Sequence, residues 1–124
     1  MRPPLAARAL LIALAVLIAG PAGAQAVLSI PLDLGPRAQV ITDRYQCSDG
    51  TGLTVQYVNT PANHLALIRL DGAERIFVTT LSASGARYVS GTWEWWSKGN
   101  AATLRSLTRS APERDCKTAP PAGG

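Results

Sequence analysis

The chain has 124 residues, of which 47% are hydrophobic, and it carries 12 Lys and Arg against 8 Asp and Glu. This length is enough for one small domain. The basic residues are few and scattered along the chain, which argues against a surface for nucleic acid.

The first 24 residues have the pattern of a secretory signal peptide. Arg2 and Arg8 form a basic start, residues 10–18 contain only Leu, Ile, Ala and Val, and Ala22-Gly23-Ala24 has the small-x-small form of a cleavage site. A membrane anchor is less favoured because the apolar run is short for a bilayer. We expect residues 1–24 to be removed and the mature chain, with a net charge of +2, to be periplasmic or secreted. No cysteine stands near the cleavage region, so we expect no lipid anchor.

Cys47 and Cys116 are the two cysteines of the chain. An even count in an exported protein indicates a disulfide, and two cysteines allow one pairing. The bond would close a loop of 69 residues, for which chain entropy predicts a stabilisation of about 4 kcal/mol. A metal or redox pair is the alternative, but the chain has neither CxxC spacing nor clustered histidines.

Short strand-like stretches alternate with turn residues after an extended entry segment, residues 25–37. The strongest hairpin signal is Asp71-Gly72 between two such stretches. No stretch after the signal peptide has helical periodicity over 11 or more residues. The predicted strands are residues 40–47, 53–58, 64–70, 74–80, 86–90, 92–96 and 101–107, with residues 113–117 as a candidate last edge strand.

Seven or eight short strands joined by tight turns predict an all-β fold. At this size, closure of the sheet removes its exposed edges. We therefore expect either a small antiparallel β-barrel of about eight strands or a β-sandwich over residues 38–118, closed by one disulfide. Residues 119–124, with two prolines and two glycines, are expected to form a disordered tail.

The sequence offers no convincing catalytic constellation. His64 is the single histidine, and no serine near it stands in a nucleophile elbow. A zinc site needs three or four ligands, and phosphate-binding and dinucleotide-binding motifs are missing. The eight acidic residues are scattered, so no pair of carboxylates for glycoside hydrolysis can be nominated. We expect a protein that is not an enzyme and that binds neither metal nor cofactor.

Residues 82–104, SASGARYVSGTWEWWSKGNAATL, are the most distinctive part of the chain. The segment places a seryl hydroxyl and a lysyl ammonium in two neighbouring loop regions without a general base, which indicates docking rather than reaction. From these residues alone, Ser84 is more simply a turn residue before Gly85. Lys98 is likewise more simply a polar residue of the turn that contains Gly99.

The motifs SASGARY and WWSKGNAATL, together with Tyr45-Gln46-Cys47 and the later Cys116, resemble the MliC/PliC family of bacterial inhibitors of c-type lysozyme. The resemblance covers roughly residues 44–116. It implies an eight-stranded antiparallel barrel that presents two loops to the substrate cleft of c-type lysozyme, its partner. The serine and the lysine of the family fall on Ser84 and Lys98.

The resemblance also implies what these two side chains do. A hydroxyl such as that of Ser84 can hydrogen-bond a carboxyl group in either protonation state. The ammonium of Lys98 makes a charge-assisted bond to the ionised carboxylate of a retaining glycosidase. Tyr88 is equally a candidate for the barrel core, and Trp93 and Trp95 are expected to face inward. The candidates for the rim of the interface are Ser82, Arg87, Tyr88, Trp96 and Asn100.

Two other functions fit an exported barrel. One is a periplasmic barrel that binds a small ligand in its interior, and the other is a structural protein of the envelope. Because c-type lysozymes are strongly basic and the mature chain is slightly positive, we expect weak long-range attraction between inhibitor and target. The missing lipid-attachment cysteine favours the soluble periplasmic branch of the family.

Overall fold

The computed structural model describes residue 20 and residues 23–120. Most of the predicted signal peptide and the last four residues of the predicted tail lie outside the described residues. Residues 23–31 belong to a unit of their own and contain neither helix nor strand, whereas all eight strands belong to the unit that begins at Leu32. None of the described residues belongs to a helix with the length and hydropathy needed to cross a bilayer.

Eight antiparallel strands form a closed barrel in which each strand pairs with its neighbours in sequence. The last strand pairs with both the seventh and the first, so the barrel predicted from the sequence is confirmed. The expectation that the last strand lies at a sheet edge is wrong, because closure leaves no edge there. The strands are β1 Gln39–Cys47, β2 Gly52–Asn59, β3 His64–Leu70, β4 Ala73–Thr80, β5 Ala86–Ser90, β6 Trp93–Lys98, β7 Ala101–Ser106 and β8 Arg114–Thr118.

The hairpin between β3 and β4 shows how local sequence sets the register. Asp71 and Gly72 both have positive φ, 50° and 78°, as a two-residue type I′ turn requires. The turn pairs Leu70 with Ala73 and, further along, Ala66 with Phe77. Because successive side chains of a strand point to opposite faces, this register sends Ala66 and Phe77 into the barrel.

The barrel interior is filled by side chains. Trp95, Phe77, Ile68 and Leu104 have no exposed surface, and an eight-stranded barrel is just wide enough for such side chains to fill it. This packing argues against a ligand bound inside the barrel. It also makes the shell of strands a firm support for the loops at its ends.

Three polar groups inside the barrel satisfy one another. The Trp95 indole N–H donates to the hydroxyl of Tyr57 at 2.8 Å, and the hydroxyls of Tyr57 and Tyr45 lie 2.8 Å apart. The Tyr45 ring also packs edge-on against Trp95, with ring centroids 4.9 Å apart. The Tyr57 hydroxyl is therefore the centre of a buried network on which two other polar groups depend.

The predicted disulfide is confirmed. Cys47 of β1 and Cys116 of β8 are directly opposite each other in the barrel register and are bonded. Both are buried in the core. The bond therefore ties the last strand to the first at the point where the barrel closes, and it constrains the unfolded chain over most of the domain.

Replacing Tyr57 by Phe should destabilise the barrel more than replacing Tyr45 by Phe. Tyr57→Phe leaves both the Trp95 N–H and the Tyr45 hydroxyl without their partner, so we expect the free energy of unfolding to fall by about 2–3 kcal/mol. Tyr45→Phe leaves the bond from Trp95 to Tyr57 intact and should cost about 1 kcal/mol. Urea unfolding of both variants checks the order, and equal losses would contradict the network.

The barrel should lose stability at alkaline pH. Burial raises the pKa of Tyr45 well above its ordinary value of 10.0, with a further contribution from its hydrogen bond to Tyr57, and burial also raises the pKa of Tyr88. Above about pH 10 the unfolded chain releases protons that the folded barrel retains, so stability is complete below that pH and falls as the pH rises further. Each tyrosine contributes a slope of at most about 1.4 kcal/mol per pH unit.

Urea unfolding at a series of pH values between 8 and about 11 measures this loss. The variant Tyr88→Phe is the control, because it removes one of the two tyrosines and should reduce the slope. A free energy of unfolding that stays constant up to pH 11 would show that the tyrosines titrate alike in both states.

Candidate functional site

The two loops singled out from the sequence lie at the same end of the barrel. Connections between antiparallel strands alternate between the two ends, so the β4–β5 connection, residues 81–85, and the turn between β6 and β7 share one end. Strands β5 and β6 are neighbours, and their register pairs Ala86 with Ser97. The residue that follows the first loop is therefore opposite the residue that precedes Lys98.

Gly85 brings the two loops into contact. Its φ is +64°, and a Cβ at this position would lie 2.5 Å from Cγ of Lys98 and closer still to the carbonyl oxygen of Ser97. Only a residue without a side chain allows this approach, and glycine also adopts the left-handed backbone without penalty. Glycine at position 85 is thus required by the packing of the loop backbone against the end of β6.

Trp96 is the side chain around which the site is assembled. Its indole N–H donates to the carbonyl of Ser84 at 3.0 Å, and the Ser82 hydroxyl donates to the same carbonyl at 2.5 Å. The ammonium of Lys98 lies 4.0 Å from the centre of the Trp96 ring, within the range of a cation–π interaction. Ser84 and Lys98 are therefore both held against one indole.

The side chains of Ser84 and Lys98 are accessible to a partner. Both residues are exposed, and the Ser84 hydroxyl takes part in none of the side-chain hydrogen bonds within the described part of the chain. The backbone of Ser84 is fixed by Trp96 while its hydroxyl stays available. The site thus offers the Ser84 hydroxyl, which can donate and accept a hydrogen bond, and the Lys98 ammonium, both held beside Trp96. These groups are suited to binding a partner.

A buried carboxylate that the sequence analysis missed lies beside the site. Glu94 is on the outer face of β6, two residues from Trp96, yet its side chain is only 2% exposed. Arg87 of β5 and Arg105 of β7 both form ion pairs with it, with the Arg105 guanidinium 2.6 Å from one carboxylate oxygen. The alternation of β6 placed Glu94 on the face of Trp96 and Lys98, but its two partners come from neighbouring strands whose register the sequence did not reveal.

The other predicted rim residues divide between surface and core. Arg87 and Trp96 are half-buried on the outer face, Ser82 is half-buried in the first loop, and Asn100 is exposed in the second turn. Tyr88 is not a rim residue. It is 5% exposed and packs in the core, with its ring centroid 5.8 Å from that of Tyr57.

Trp95 is fully buried and Trp93 packs partly buried against the core, so both face inward as the alternation predicts. His64 is exposed at the start of β3, with its Nδ1 3.2 Å from the side-chain oxygen of Asn59. Among the described residues, no group of three or more His, Cys, Asp and Glu is arranged to hold a metal ion.

Comparison with known proteins gives a consistent result. Residues 45–112 match the family model described as MliC, membrane-bound lysozyme-inhibitor of c-type lysozyme. Two relatives carry the name membrane-bound lysozyme inhibitor of C-type lysozyme. One, from Cupriavidus necator, is 53% identical over 64 residues, which cover 52% of this chain and 51% of the relative. The other, from Pseudomonas aeruginosa, is 44% identical over 61 residues and covers 48% of each. The chain thus spans about half the length of these curated relatives.

Two solved structures resemble the barrel. The structure of Pseudomonas aeruginosa MliC in complex with hen egg white lysozyme is 35% identical, with a TM-score of 0.62, and the match covers 77% of this chain and 98% of that one. The periplasmic lysozyme inhibitor of C-type lysozyme from Salmonella typhimurium, PliC-St, is 28% identical, with a TM-score of 0.59 and coverage of 66% and 100%. Since the family model spans more than half of the sequence and the barrel matches both structures, this chain belongs to the MliC/PliC family of inhibitors of c-type lysozyme.

Proposed function

We propose that this protein inhibits c-type lysozyme by inserting Ser84 and Lys98 into the substrate cleft beside the catalytic carboxylates. The observation that carries the proposal is the pair of exposed side chains held around Trp96 at one end of the barrel. The relative from Pseudomonas aeruginosa, 35% identical to this chain, was crystallised with hen egg white lysozyme. The relatives carry names that place them at the membrane or in the periplasm, and we assign this chain to the periplasm or the extracellular space.

The chemistry of the two side chains matches the target. A retaining glycosidase keeps a carboxylic acid and a carboxylate about 5 Å apart. The Lys98 ammonium forms a charge-assisted hydrogen bond with the ionised group. The Ser84 hydroxyl accepts a hydrogen bond from the neutral acid or donates one to the charged form. Occupation of both carboxyl groups excludes the sugar substrate, so inhibition requires no reaction in the inhibitor.

The rigidity of the site favours tight binding. A long lysine side chain loses rotamer freedom when it is immobilised in an interface. Here the Lys98 ammonium already rests on the Trp96 ring and the Ser84 backbone is already fixed by the indole N–H. Part of the ordering has therefore taken place before the partner arrives.

Replacing either inserted side chain by alanine should weaken inhibition. We expect Lys98→Ala and Ser84→Ala each to cost about 2–5 kcal/mol of binding free energy, since each leaves a buried carboxyl group of the enzyme without its partner. The measurement is the inhibition constant for lysis of a bacterial suspension by c-type lysozyme. Arg44→Ala is the matched control for lost positive charge, because Arg44 is exposed on β1, at the opposite side of the barrel from β5.

Full inhibition by the double variant Ser84→Ala, Lys98→Ala would disprove the insertion mechanism. A wild-type protein that does not inhibit any c-type lysozyme would disprove the function itself and leave a structural role in the envelope as the better interpretation.

The variant Gly85→Ala should show how far inhibition depends on the close approach of the two loops, because it leaves the side chains of Ser84 and Lys98 unchanged. The new methyl group overlaps the Ser97 carbonyl and Lys98 Cγ, so the first loop must move away from Lys98, and we expect inhibition to weaken about tenfold or more. Gly91→Ala is the control, because Gly91 also has positive φ, 56°, but nothing lies near its missing Cβ.

Both glycine variants should lose about 1–2 kcal/mol of stability from the strained backbone. Inhibition constants and urea unfolding curves of the two variants distinguish backbone strain from displacement of the loop. Equal inhibition by Gly85→Ala and Gly91→Ala would show that the approach of the two loops is unimportant for binding.

A further inference from the structure

Glu94 occupies a position in which an unpaired carboxylate would be costly. It lies on the outer face of the barrel, where a glutamate ordinarily reaches water, but two arginine side chains cover it and leave 2% of it exposed. A carboxylate is withdrawn from water only at a large cost unless its oxygens are fully paired. Both oxygens are paired, one with Arg87 and the other with Arg105.

The pairing of Glu94 fixes Arg87 in place. Arg87 bonds the same carboxylate oxygen through Nε, at 3.1 Å, and through a terminal nitrogen. Its guanidinium carbon also lies 5.4 Å from the centre of the Trp96 ring. The planar guanidinium group therefore connects the buried carboxylate to the indole on which the site is built.

A chain of direct contacts thus runs from Arg105 through Glu94 and Arg87 to Trp96, and from Trp96 to Ser84 and Lys98. We infer that Glu94 is a positioning residue, which holds Arg87 against Trp96 and through this ring fixes Lys98 and the Ser84 loop for binding. The part of this inference that concerns lysozyme binding rests on the proposed function. The part that concerns the position of Trp96 can be tested on the free protein alone.

The negative charge of Glu94 also offsets the repulsion between the arginines that surround it. Arg87, Arg105 and Lys98 are three cations on adjacent strands, and Glu94 is the carboxylate with which the two arginines pair. Without its charge the two arginines would repel each other, and Arg87 would turn toward solvent, away from the ring. Trp96 would then lose one of the groups that hold it.

The first test uses the free protein with Glu94→Gln, which keeps the size of the side chain and removes its charge. Nuclear magnetic resonance of the indole N–H groups reports on each tryptophan, with Trp96→Phe to assign the Trp96 signal. We expect the Trp96 signal to shift and its hydrogen exchange to accelerate, while the signal of Trp95, buried in the barrel interior, stays unchanged. An unchanged Trp96 signal, or an equal change at Trp95, would overturn the inference.

The second test is a double-mutant cycle on binding to hen egg white lysozyme, measured by calorimetry. Glu94→Gln should raise the dissociation constant about tenfold when Arg87 is present and by less than about twofold in an Arg87→Met background, because Glu94 acts through Arg87. Equal effects in the two backgrounds would overturn the inference. Glu74→Gln, an exposed site on β4 with the same change of charge, should leave the dissociation constant unchanged.

The two tests separate the two proposals. If the wild type does not bind lysozyme, the proposed function fails, and the indole signals of the free protein still decide whether Glu94 positions Trp96. If the wild type binds and Glu94→Gln changes neither the Trp96 signal nor the affinity, the function stands and the positioning role is wrong.

Discussion

The close approach of the Gly85 backbone to the end of β6 is the contact on which the site depends. It places the first loop against Ser97 and Lys98 and brings the Ser84 carbonyl within reach of the Trp96 indole. The two loops belong to different strand connections, residues 81–85 and 99–100. The pairing of β5 with β6 brings them together, and glycine leaves room for the contact.

The barrel stabilises the contact between Gly85 and the end of β6. The disulfide ties β8 to β1, and the hydroxyls of Tyr45 and Tyr57 satisfy each other and the Trp95 N–H inside the shell. A small domain buries a smaller fraction of its surface than a large one, so such additional bonds matter for its stability. Trp95 and Trp96 are adjacent in sequence and face opposite ways, so the residue that anchors the core is next to the residue that anchors the site.

Most of the strands and the disulfide could be predicted from the sequence, and the predictions that failed did so for physical reasons. Alternation and turn residues located the strands to within about two residues, and the even cysteine count identified the disulfide. The last strand was wrongly expected at a sheet edge, because its pairing with β1 joins distant parts of the chain and cannot be read from the local pattern. Tyr88 was placed in the core only by the structure, and Glu94 was missed because its burial depends on arginines from two other strands.

Under the proposed function a positively charged chain binds a basic enzyme, and the arrangement of charge offers a physical basis for this. Long-range attraction between two positive molecules is weak or adverse, so the favourable interaction must be local. Glu94 pairs with Arg87 and Arg105, whereas the Lys98 ammonium lies over the Trp96 ring and has no carboxylate partner among the described ion pairs. In the proposed complex, Lys98 is the charge that a cleft with two carboxyl groups would accept. In the proposed complex, affinity would arise from the fit of one cation and one hydroxyl into that cleft, so dissolved salt should affect it less than it affects steered complexes.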